Sequence, residues 1–157
     1  MRLPARSASA KAAAPFPQMC RWVMHATLAG GRPLPFGDCH PDHPVAAGYV
    51  GAVAAALTDR TLQHYARSQQ AATTNPVEFL WFDPRVPPAS LTGREPLAIH
   101  FPAHGGIMVS RTAWDFERPQ CIVFGKSGRE ENHEHNDVGQ VGFDTLGERL
   151  IIDLGSP

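Results

Sequence analysis

The hydrophobic positions of this chain change their period partway along it. Upstream of Pro84 apolar residues recur at helical spacing, and Met19, Trp22, Val23 and Ala26 follow the i, i+3, i+4, i+7 pattern of an amphipathic helix. Residues 45–57 are almost wholly small and apolar, which suits a helix packed closely on several sides. Asp59 stands where an N-cap would open a further helix over "RTLQHYARSQQ", its carboxylate accepting the first free backbone N–H groups. Asn75 followed by Pro76 reads as the N-cap and first position of a short helix over "VEFLWF".

Proline and turn formers then crowd "DPRVPPASLTGREP", which predicts a linker. Beyond it the period shortens to that of strands. "LAIHF" places Leu97, Ile99 and Phe101 on one face, "GIMVSR" contributes Ile107 and Val109, and "QCIVFG" is a third apolar segment. A final hairpin turns at Leu146 and Gly147. In the simplest register Asp144 faces Arg149, Phe143 faces Leu150 and Val141 faces Ile152. Val141, Phe143, Leu150 and Ile152 then share the core face, with an Asp144–Arg149 ion pair on the other. Asp153 falls opposite Gln140, away from the core.

These elements predict an α+β chain with a leader over residues 1–17, helices over 18–83, a linker over 84–96 and antiparallel strands over 97–157. A length of 157 residues suits one domain with its own core or parts of two larger ones. The opening "MRLPARSASAKAAA" spreads basic residues among alanine and serine without a continuous apolar core, which fits a flexible leader better than a secretion signal. No stretch is long and apolar enough for a bilayer-spanning helix, so no membrane is expected. The net charge of −1 leaves no footprint for nucleic acid. Cys20, Cys39 and Cys121 are widely spaced and odd in number, which is neither a disulfide framework nor a thiolate zinc site.

Candidate chemistry gathers near the end of the chain. His133 and His135 form an H-x-H pair, and in an extended segment side chains two apart point the same way, so both imidazoles can face one ion. A polar loop is the competing reading. The longer pattern shifts the balance: "HEHNDVGQVGFDTLGERLIIDLG" resembles the part of heparinase II/III-like proteins that runs H-x-H-x-D, strand, glycine turn, apolar strand, D-x-G. The matching positions are His133, His135, Asp137, Gly147, Asp153 and Gly155. "HGGIMVSRTAWD" is similar to the family's strand bearing a glycine, an arginine and a tryptophan, here Gly106, Arg111 and Trp114. "LPFGDC" and "FLWFDP" are similar to segments near the end of its helical domain. Glu134 and Leu154 depart from the pattern, where a small residue and a proline are common.

The resemblance implies a polysaccharide lyase, and a truncated copy of one: the last helices of an (α/α) toroid followed by the opening strands of an antiparallel β-sandwich. It implies β-elimination on a uronate-containing polysaccharide such as heparin, heparan or alginate. His133 would face the substrate as the catalytic group neutralising its carboxylate, and Arg111 and Trp114 would line the sugar groove. His135 and Asp153 would hold zinc. The acidic polysaccharide is the expected partner, and strands left without a covering layer predict self-association.

The family's catalytic tyrosine has no evident counterpart, since Tyr49 and Tyr65 each sit in a helical stretch, so the chain is expected to be inactive alone. Two rival readings are a cupin-like metal-binding β-barrel, with Gln140 where a cupin places a carboxylate, and a non-catalytic carbohydrate-binding remnant. Cys39, His40 and His43 in "CHPDH" read as a proline-capped loop. His100 and His104 flank Pro102 at a strand end, and His100 reads as strand surface.

Overall fold

The computed structural model describes residues 15–40, 43–45, 47–69, 76–102, 106–128 and 138–153. The chain divides into two compact units, Met1–Met24 with Ala46–Ser90 and His25–Val45 with Leu91–Pro157. Helices occupy the first and an antiparallel sheet the second, which is the α+β arrangement predicted from the change of period.

In the first unit α1 spans Phe16–His25, its last residue counted with the second unit; α2 spans Gly48–Leu57, α3 Arg60–Gln69 and α4 Pro76–Trp81. The stripe expected on α1 is turned: Cys20 and Met24, four residues apart, are fully buried, whereas Met19 is exposed and Trp22 and Val23 are half-buried. The helix stops at His25, so Ala26 cannot extend the predicted face. Burial also pushes the Cys20 thiol up to about 11, which makes it an inert core residue.

The small side chains of α2 let it pack against both α3 and α4, with Gly51 close to Ala66 and Phe82. α3 buries Leu62, Tyr65, Ala66 and Gln69 along one side. The proline-rich segment after α4 is not a loose tether. Gln63 Nε2 donates to the carbonyl of Asp83 (2.8 Å), Arg67 Nη2 to Pro84 (3.3 Å) and Arg60 Nε to Pro87 (3.3 Å), so residues 83–89 are held along α3. Val86 and Ala89 are buried there.

Between α2 and α3 the chain turns on two residues. Thr58 takes a left-handed conformation (φ 56°), and the next N–H, that of Asp59, donates to the carbonyl of Ala54 (2.9 Å). Asp59 caps α3 as its sequence position predicts: Oδ1 accepts from the N–H of Thr61 (3.0 Å) and of Leu62 (3.1 Å), and Oδ2 from Arg21 (3.1 Å). Burial alone would raise this carboxyl. The bonds from Thr61, Leu62 and Arg21 outweigh burial, and its pKa lies below the ordinary value.

A depressed folded-state pKa contributes stability that is present above the unfolded value and is lost as pH falls through the folded one. Asp59→Ala is therefore expected to cost about 1–2 kcal/mol at neutral pH, and less in strong acid. Asp59→Asn keeps most of the cap and loses less, because the exposed part of the Arg21 pair contributes only tenths. Denaturant unfolding of both variants at neutral and strongly acidic pH measures this. Equal losses at the two pH values would contradict the charged cap.

In the second unit the strands are β1 Ala98–Phe101, β2 Ile107–Arg111, β3 Ile122–Lys126, β4 Val141–Thr145 and β5 Glu148–Ile151, antiparallel and in sequential order. Among the described residues this is an open meander with β1 and β5 as its edges, whereas a barrel would close those edges on each other. One face is covered by residues 26–36. Leu28 and Leu34 bury against Val109, Ile122 and Phe124, with Ala26, Phe36, Ile99 and Ile107 packed around them. That cover is a tight reversal built on a short 3-10 turn, Ala29–Gly31, closed by bonds from Leu28 N–H to Arg32 O (2.7 Å) and Leu34 N–H to Ala26 O (2.9 Å).

The last hairpin turns where expected. Thr145 pairs with Glu148 and Asp144 with Arg149, and Leu146 and Gly147 both have positive φ (53° and 85°), the geometry of a type I′ turn. Beyond Asp144 the predicted register is corrected: a bulge intervenes and Phe143 pairs with Ile151, not Leu150. The faces are also the reverse of the expectation. Gly142 and Asp144 lie on the covered side, while Val141, Leu150 and Ile151 are exposed.

The physical reason is Phe124. Its ring fills the space a Cβ on Gly142 would occupy, 1.9 Å from that position, so the glycine-bearing face is the one that can close over the core. The bulge then gives β5 one extra residue and leaves both Leu150 and Ile151 outside.

Candidate functional site

The hairpin determines where the candidate site can form. The N–H of Gly139 donates to Lys126 O (2.8 Å) and that of Lys126 to Gln140 O (2.9 Å), so the chain comes into β4 beside the end of β3. Asp153 leaves β5 at that same end of the hairpin, because β4 and β5 are antiparallel. Burial raises the Cys39 thiol above its ordinary value; a backbone bond at Phe36 and the charge of Arg149 oppose the rise, and Asp153 adds to it. Cys39, Arg149 and Asp153 therefore share one electrostatic neighbourhood. His133, His135, Asp137 and Gly155 lie outside the described residues, as does His104.

Arg111 and Trp114 are brought together, but inside the unit. Arg111 is 3% exposed and Trp114 9%. The guanidinium carbon sits 4.2 Å from the centre of the Trp114 ring, and Nη2 donates to the carbonyls of His25 (2.5 Å) and Thr27 (3.3 Å). The indole N–H donates to Glu95 O (3.1 Å), and the His25 ring meets the indole edge-on at 4.7 Å. In this arrangement both side chains face protein carbonyls and rings, and they tie the end of β2 to the start of the covering segment. A sugar groove would need at least one of their faces open to solvent.

A second polar cluster was not foreseen as a unit. Asp144 Oδ2 lies 3.6 Å from Arg32 and 3.8 Å from Arg149, and the Asp144 and Arg149 side chains are both largely buried. Burial raises the Asp144 carboxyl, and the two guanidiniums and Glu148 modify that rise, the first two downward and Glu148 upward. The hairpin register contains a signal for the Asp144–Arg149 pair. Nothing in local spacing announces Arg32, which is far away in sequence.

Gly106 has φ 66° and its carbonyl accepts from both the N–H (2.8 Å) and the hydroxyl (3.1 Å) of Ser127, so it shapes the junction of β2 and β3. The His40 and His43 rings meet at a tilt of 53°, with centres 4.9 Å apart. Among the described residues no three His, Cys, Asp or Glu side chains gather closely enough to hold a metal ion. Asp153 is the one described member of the zinc pair that the sequence suggests. No family model, no curated protein and no solved structure matches this chain.

Proposed function

We propose that this chain is a heparinase II/III-like segment, the end of an (α/α) toroid and the opening strands of a β-sandwich, that engages the uronate of an acidic polysaccharide. The single observation that supports this most is the hairpin geometry. Val141 begins β4 and Ile151 ends β5 at one end of the sheet, so Val138, the first described residue after the H-x-H-x-D motif, and Asp153 both lie toward that end of the hairpin. An antiparallel sheet with one bare apolar face also suits the first layer of a sandwich.

In β-elimination a base takes the proton next to the uronate carboxylate, the bond to the departing oxygen breaks, a carbon–carbon double bond forms, and the departing oxygen takes up a proton. Negative charge builds on the carboxylate side in the transition state. His133 is the group proposed to donate there, since fixed donors are worth most where charge develops. Zinc, if bound, would polarise the same carboxylate through His135 and Asp153. One imidazole and one carboxylate are fewer than the usual three or four protein ligands, so no step is assigned to the metal.

The proton donor for the leaving oxygen has no good candidate among the described residues. Tyr65 is fully buried in the helical unit, and burial raises the half-buried Tyr49 above its ordinary value. Groups that act as a unit lose nearly all activity when one is missing. Incubation with heparan sulfate, hyaluronan or alginate is thus expected to give no ultraviolet-absorbing unsaturated product above a blank. Calorimetric titration should show weak zinc binding that His135→Ala or Asp153→Asn removes. Tight zinc binding that survives His135→Ala would overturn the metal assignment. Turnover abolished by His133→Ala would keep the lyase reading and make Tyr49→Phe the next variant.

A further inference from the structure

The strands of this sheet place their charges on the wrong side for a sheet that faces water. Arg111, Lys126, Asp144 and Arg149 all lie on the covered face. The register sets Ala98, Ser110, Val123, Phe143 and Ile151 in one row on the opposite face, and His100, Met108, Gly125 and Val141 in the next. Met108 is 53% exposed, Val123 37%, Val141 51% and Ile151 53%. The bulge adds Leu150 to the same exposed side. Among the described strand residues the ionisable side chains on that face are Glu148, at the turn end, and His100, on the edge strand β1. Ordinary antiparallel sheets alternate the other way, polar outward and apolar inward.

We propose that this face is the interface between two copies of the chain, packed sheet on sheet. Its apolar surface is on the order of 400 Å², at the level where contiguous exposed apolar area marks an interaction site. That is about half of the roughly 800 Å² per partner of a stable association, which fits a weak, reversible dimer. Among the described strand residues the face carries no lysine or arginine to attract an acidic sugar, and its two ionisable groups, His100 and Glu148, sit on the edge strands.

Its relief is self-complementary. Gly125 sits between Met108 and Val141 in the ladder and leaves a hollow, and Met108 beside it is a long, adaptable knob. In a two-fold contact each Met108 can fill the hollow at the other copy's Gly125, the reciprocal pairing that an isologous interface requires. The proposal makes no use of His133, His135 or Asp153, and it gives to a second copy the bare face on which the lyase reading would lay a second sheet.

Sedimentation velocity of the full chain over a concentration series is expected to show a reversible monomer–dimer equilibrium. Val123→Lys and Val141→Lys should each weaken the dimer at least tenfold, while Leu146→Lys at the exposed turn leaves it unchanged. Circular dichroism should show both variants folded, because each adds a lysine at an exposed position. If either fails to fold, Met108→p-benzoylphenylalanine decides the matter: irradiation should give a dimer-sized product whose cross-links map to β2, β3 or β4 of the other copy. A chain that stays monomeric throughout, a dimer indifferent to both lysines, or cross-links mapping elsewhere would overturn the proposal. So would a monomer that uses Val123 to bind lipid vesicles or polysaccharide.

Discussion

Gly142→Ala is expected to be the most damaging single methyl group that can be added to the sheet unit. The new Cβ would stand 1.9 to 2.6 Å from three carbons of the Phe124 ring. That ring is 1% exposed, belongs to the cluster of Leu28, Leu34, Val109 and Ile122, and meets Phe36 edge-on at 5.1 Å. It has nowhere to swing. Either β4 separates from β3 or the core opens, and overpacking of this severity costs about 3 kcal/mol, at the upper end of its usual range.

Chemical denaturation checks the loss, and a double mutant identifies its source. Phe124→Leu alone leaves a cavity and is destabilising by about 1–3 kcal/mol. Combined with Gly142→Ala, the smaller side chain gives the new methyl room, so the pair should lose clearly less than the sum of the two single changes. Simple additivity would mean that Gly142 does not face Phe124.

The second large effect is expected at Arg111. Arg111→Met keeps much of the volume but leaves the carbonyls of His25 and Thr27 without this donor and the Trp114 face without its cation. A loss of about 2–4 kcal/mol follows from removing a charged donor from two buried carbonyls. Arg111→Lys should recover only part of it, since an ammonium cannot fork to two carbonyls while stacking on an indole. Tryptophan fluorescence should shift in both variants as Trp114 changes surroundings. Unchanged stability together with weaker polysaccharide binding would return Arg111 to the groove role that the resemblance suggests.

What local chemistry determines was legible from the residues alone. The change of period located helices and strands, Asp59 was identifiable as a cap by its place before α3, and the Leu146–Gly147 turn followed from register. The errors share a cause. Whether Val141 or Gly142 points inward depends on Phe124, which comes from a different strand. Alternation fixes which residues share a face but not which face is covered. The same holds for α1, where counting Trp22 and Val23 as anchors hid the Cys20 and Met24 pair that is buried. His133 and His135 remain expectations of the motif, lying outside the described residues.

The discontinuity of the sheet unit sets the order in which the chain can fold. β1 to β5 are joined in sequence order and can zip as neighbours, with only local loops to close. Their cover arrives from far away: the bonds from Arg111 to His25 and Thr27 span 86 and 84 residues, and that from Arg149 to Pro33 spans 116. Loop-closure entropy grows only logarithmically with length, so this connectivity costs little at equilibrium. Its cost falls on the rate, since contacts of such high sequence separation form late and slow the search. On the ribosome the covering segment emerges well before the strands that it covers.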